Sequence, residues 1–130
     1  PSCTWTTMMV VRGLVASASP TKDERVLRGA DFFLNGFFRR NQNSTFLMDE
    51  RHWTRLKYPT YHGSGLCALD ILTFLGFGPD DERMDKPIRW LLGARSKDGF
   101  WRRSDRPHPE KDLWITEVAL SIIARYSRMY

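Results

Sequence analysis

Two charged residues stand inside stretches that are otherwise almost wholly apolar. Arg12 interrupts Trp5, Met8, Met9, Val10, Val11, Leu14 and Val15, and Asp70 interrupts Leu66, Cys67, Ala68, Leu69, Ile71 and Leu72. A charge in a low-dielectric interior needs a partner or water. The two could neutralise each other or face a central cavity as part of a binding site, and mutual pairing is the favoured reading. A second group gathers in a long polar stretch: His52, Trp53, Arg55, Lys57, Tyr58, Tyr61 and His62. Cations and hydrogen-bond donors interleaved with aromatic faces suit a diphosphate, a sugar or a nucleic-acid backbone. A loop packed over the rim of the fold would use the same residues. Trp114, at the head of the last apolar segment, adds an aromatic face to the candidate ligand-binding set.

Other constellations are weaker. Cys3, His62 and Cys67 are metal-ligand types, yet a thiolate and an imidazole must converge on one ion, and their spacing matches no zinc motif. No metal and no cofactor are expected. Asp80-Asp81-Glu82 sits where a helix N-terminus favours negative charge, which makes it a cap rather than a catalytic acid. No catalytic-serine motif, phosphate loop or dinucleotide-binding glycine pattern occurs.

The elements that must position these residues are helices. Thr4 to Ala18 is apolar nearly all round, as in a helix buried on most sides. Thr21 is a plausible N-cap for an amphipathic helix over Arg25 to Arg39, with Val26, Ala30, Phe33, Leu34 and Phe37 on one stripe. Arg40 to Thr60 reads as a long polar connection, of the kind that carries function or motion. Tyr61 to Phe77 is a second buried helix, stopped by Gly76 and Gly78-Pro79. An amphipathic helix follows through Met84, Ile88, Leu91, Leu92 and Arg95, then a polar, basic loop over Lys97 to Lys111. Asp112 caps a third apolar helix, Leu113 to Tyr126. Sliding the chain from Ala30 to Ile88 lays Ala30-Asp31-Phe32-Phe33-Leu34 on Ile88-Arg89-Trp90-Leu91-Leu92 and Arg12 on Asp70, an internal repeat of helical hairpins.

Composition bounds the function classes. At 130 residues and 42% hydrophobic content, the chain predicts one globular domain spanning 1–130 with a sizeable core. A formal charge of +5 permits an anionic partner but is also what a solvated surface carries, and no nucleic-acid partner is expected. Two cysteines are too few for a disulfide scaffold, so a reducing cytoplasm is the default expectation. No stretch is long enough to cross a bilayer. A start at Pro1, already beside a helix entrance, is read as a sign that this is a piece of a longer chain.

The most distinctive stretch is Ile88 to Trp101, IRWLLGARSKDGFW. Asp98-Gly99 is a turn pair that ends a helix, and Trp101 follows closely enough for its ring to fold back over the helix end. Trp90, Leu91, Leu92, Asp98, Gly99 and Trp101 resemble the QW repeat of squalene and terpene cyclases and of protein prenyltransferase β subunits. Arg95 stands where that family usually has Gln. The first hairpin lacks the D-G-x-W ending, and the D-x-D-D acid of the class II cyclases is absent.

The resemblance implies an all-α fold built of helical hairpins from an α/α barrel, or toroid, amounting to about half a ring. It places the buried helices inside and the amphipathic ones outside. It also implies an apolar pocket for a hydrophobic, isoprenoid-type ligand. The alternatives are a non-catalytic helical-repeat interaction module and a carbohydrate-active toroid domain. Half a ring leaves apolar flanks open, so self-association as a dimer or further hairpins of the same chain are expected to cover them.

Overall fold

The computed structural model describes residues 3–16, 23–40, 50–57, 64–104 and 111–128, and these are organised as helices. In chain order they are α1 (Thr4–Val15), α2 (Glu24–Gly36), α3 (Glu50–Trp53), α4 (Gly65–Phe74), α5 (Asp85–Gly93) and α6 (Leu113–Ser127). A 3-10 turn, Glu82–Met84, leads into α5. No β-strand occurs among the described residues; only an isolated antiparallel bridge joins Arg102 to Lys111.

Side-chain oxygens set most of the helix starts, satisfying backbone N–H groups that the first turn leaves without partners. The Asp23 carboxylate accepts from Arg25 N, Ser64 Oγ from Cys67 N, Asp81 from Arg83 N and Asp112 from Ile115 N. The α2 cap is therefore Asp23, two residues after the expected Thr21, which lies outside the described residues. The second buried helix starts at Gly65 rather than at the aromatic run before it, and α5 ends at Gly93, short of Arg95. Helix α3 is a finding inside what reads as an unstructured polar connection.

The stops are equally local. After α4, Gly76 takes φ +93°, letting Gly76 N and Phe77 N turn back to the carbonyls of Thr73 and Leu72. After α5, Gly99 at φ +90° allows the tight return to Trp101. Phe38 ends α2 at φ 62°, a conformation rare for a bulky residue. Its ring meets Trp90 edge-on at 5.9 Å between centroids, and Lys86 Nζ lies 5.1 Å from its own centroid.

Helix α4 is central. It packs against α1 on one side and α6 on the other, with α5 and α3 also resting on it, while α2 packs on α1. The nearly all-apolar α1 and α4 thus each lie beside the amphipathic helix that follows, α2 and α5. Met8, Phe33, Leu66, Leu69, Leu72, Met84, Leu91, Trp101, Ile115 and Ile122 are fully buried in one cluster. Burial of a side chain of this size contributes about 1.5–3 kcal/mol. Arg83 ties the turn before α5 to α2, with its guanidinium on Asp81 (2.7 Å), Asp31 (3.3 Å) and Asn35 (3.1 Å).

Candidate functional site

The two lone charges meet in one open groove of about 240 Å³, lined by Arg12 and Val15 of α1, Asp70 and Phe74 of α4, and Arg125 of α6. The partner that Asp70 takes is Arg125. The guanidinium donates through Nη2 to Asp70 Oδ1 and to the Asp70 carbonyl (3.3 Å), and through Nε to Thr73 Oγ1 (3.1 Å). Thr73 in turn donates to the Leu69 carbonyl at 2.8 Å. Arg12 Nη1 donates to Cys67 Sγ at 3.8 Å. The expectation of an Arg12–Asp70 pair is corrected accordingly: α6 supplies the counter-charge, and Arg12 joins the groove as a second cation. Arg125 carries a weaker form of that signal, because its apolar helix also holds Glu117. At the end of α6 it reads simply as a cation complementing the helix dipole.

Cys67 lies fully buried beside this groove. Burial pushes its thiol above the ordinary value, with the Arg12 guanidinium pulling the other way.

The remaining candidates do not join this groove. Trp53 is buried, its ring 5.2 Å from that of Phe37 and its Nε1 donating to the Arg39 carbonyl at 2.9 Å, so it serves the core and ties the end of α2 to α3. Arg55, two residues on, is exposed. Trp114 is exposed on α6. Tyr58, Tyr61 and His62 lie outside the described residues.

At the turn after α5, Trp101 is wholly buried; its Nε1 donates to the Leu91 carbonyl at 2.8 Å and its backbone N–H to Thr116 Oγ1 at 3.0 Å. The Arg95 guanidinium sits 5.9 Å from the Trp101 ring centroid and reaches the Gly99 carbonyl at 3.4 Å. It thereby lies over the tryptophan and braces the turn. Asp98 pairs with Arg102 at 2.6 Å. Trp90 is half-buried against Phe38.

A second groove, of about 450 Å³, runs between α1 and α2 with Val10, Val11, Gly29 and Phe32 along it and Arg25 and Arg28 beside them. Among the described residues, no group of three His, Cys, Asp or Glu is placed to hold a metal ion, and no helix is long and apolar enough to cross a membrane. In comparison with known proteins, no family model, no curated protein and no solved structure matches the chain.

Proposed function

We propose that the chain is a non-catalytic helical-repeat module that associates with a second copy of itself through the apolar flanks of α1 and α6. In this reading α1, α4 and α6 are neighbouring inner staves of an α/α toroid, with α2 and α5 outside. The observation that carries it is a contrast between equivalent helices. With neighbours on both sides, α4 keeps Leu66, Cys67, Ala68, Leu69, Ile71 and Leu72 buried and exposes only Phe74, at its last position, among its large apolar side chains. With α4 as its one inner neighbour and α2 outside it, α1 leaves Trp5, Met9 and Val10 half exposed, and α6, packed on α4, does the same with Leu120. Runs of large apolar side chains in water are a sign of an interface. A two-fold dimer would set α1 of each copy beside α6 of the other and bury both flanks together.

Sedimentation velocity over a micromolar dilution series tests this. A dimer that dissociates on dilution is expected, together with a folded monomer for the Trp5→Ser/Met9→Ser variant. A parent protein that stays monomeric throughout overturns the reading.

The groove between α1 and α2 favours a second reading. Its apolar wall of Val10, Val11 and Phe32 beside Arg28 suits an amphiphile with an anionic head, which includes isoprenoid diphosphates. A rise in melting temperature with farnesyl diphosphate but not with inorganic diphosphate, abolished by Phe32→Asp, would select it.

A further inference from the structure

The basic residues of the polar segments are not scattered. Ser104 N donates to the Leu56 carbonyl at 2.8 Å, and Leu56 N donates back to Ser104 Oγ at 2.7 Å, so residues 55–57 lie alongside residues 102–104. The bridge from Arg102 to Lys111 and the bond from Asp112 N to the Trp101 carbonyl (3.0 Å) bring the start of α6 to the same place. Leu56 is buried, and of the residues on either side of it Arg55 is exposed and Lys57 half-buried. Arg102 is matched by Asp98 at 2.6 Å, and Arg103 faces Asp112 at 3.9 Å. Lys111 Nζ lies 4.8 Å from the Phe100 centroid. Arg55, Lys57 and Lys111 form no ion pair among the described residues. Beside them protrude two consecutive large apolar side chains, Leu113 at 68% exposure and Trp114 at 51%.

From this juxtaposition we infer that the end of the molecule formed by residues 55–57, 102–104 and 111–114 is a docking surface for an anionic lipid bilayer. Unmatched cations at one end draw the protein to a negatively charged headgroup layer. Leu113 gives the contact an aliphatic anchor, and Trp114 an indole of the kind that settles at the headgroup boundary. A nucleic-acid backbone would engage the cations but has no use for a protruding leucine, which is why lipid is the favoured anion. The surface is separate from the flank at Trp5, Met9 and Val10, and the inference does not depend on self-association.

Co-sedimentation of the full chain with vesicles of phosphatidylcholine alone or mixed with phosphatidylserine decides the matter. Binding is expected to the mixed vesicles only and to weaken as salt is raised. The double variant Arg55→Glu/Lys57→Glu should lower the bound fraction by about tenfold or more, in line with the contribution of each juxtamembrane cation. Leu113→Ser/Trp114→Ser should lower binding and remove the blue shift of tryptophan fluorescence on vesicle addition, with an unchanged circular dichroism spectrum. Trp5→Ser/Met9→Ser should bind vesicles as the parent does. Equal binding to both vesicle types, no binding by the folded parent, or charge-reversed protein that binds undiminished would each overturn the inference. So would tight binding to duplex RNA in the absence of vesicle binding.

Discussion

Arg125, in the last turn of α6, closes an ion pair with Asp70 in the middle of α4, and the same guanidinium caps the Thr73 hydroxyl. Both side chains are about two-thirds removed from solvent, at 27% and 32% exposure. Replacing Arg125 by Leu leaves a partly buried carboxylate without its donor, an expected loss of about 1–2 kcal/mol. Urea unfolding of Asp70→Asn, Arg125→Leu and the double variant should show a favourable coupling between the two positions. The corresponding cycle with Arg12→Leu should show the smaller coupling, because Arg12 donates to Cys67. A larger coupling for Arg12 than for Arg125 would place Arg12, not Arg125, as the partner that matters.

Trp101 offers a test of a different kind, because its ring and its N–H do separate jobs. Trp101→Ala removes a wholly buried ring from the angle between α5 and α6 and should cost about 3–5 kcal/mol. Trp101→Phe retains much of the ring but leaves the buried Leu91 carbonyl without its donor, for about 1–3 kcal/mol. Arg95→Ala, an exposed cation over the ring, should change stability by only about 0.5–1 kcal/mol. An unchanged urea midpoint for Trp101→Ala would show that the ring does not hold the turn.

Much of this architecture can be read from spacing alone, and the exceptions have physical causes. Val26, Ala30 and Phe33 recur on one helical face because α2 buries a single stripe, and Asp112 precedes an apolar run because α6 needs a cap. Helix α3 is too short to show a period, and Trp53 is its one apolar residue, so an aromatic that sits in the core reads as part of a polar patch. The pairing of Asp70 escapes for another reason. Asp70 and Arg12 each interrupt an apolar run, which suggests a mutual pair, whereas the packing of α6 on α4 is a long-range property that no local pattern encodes. The basic end depends likewise on the bonds between Leu56 and Ser104, which join segments far apart in the chain.

Acid should loosen the start of α2. The Arg25 side chain, donating to Asp23, and the Arg25 backbone N–H hold the carboxyl at about 2, below its ordinary 3.8. The folded-state value is the lower one, so the stabilisation is fully present above about 3.8 and fades as pH falls toward about 2. Following the carboxyl by NMR should give a midpoint near the lower figure, and Arg25→Ala should move it upward. Asp23→Ala should flatten the acid limb of stability between those two pH values. A midpoint near 3.8 for Asp23 in the folded parent would show that the cap is not formed.

The two cysteines should separate cleanly by reactivity. Neither is in a disulfide; Cys3 is partly exposed at the head of α1, and Cys67 is fully buried in α4. Thiolate is the reacting form, and burial raises the Cys67 thiol above its ordinary 9.0 while Arg12 partly offsets the rise. At neutral pH the folded protein should therefore release one equivalent of colour from an aromatic disulfide reagent promptly. The second should appear only on a slower phase that accelerates with urea and with pH. Cys3→Ser should remove the fast phase and leave the slow one. In that background Arg12→Leu takes away the cation that favours the thiolate, so at mildly alkaline pH the phase should slow unless the substitution also opens α4. Hydrogen exchange of the α4 amides tells these apart, since a slower thiol with unchanged exchange isolates the charge effect. A prompt reaction of both thiols in the folded Cys3-containing parent would mean that α4 is not closed over by α1 and α6.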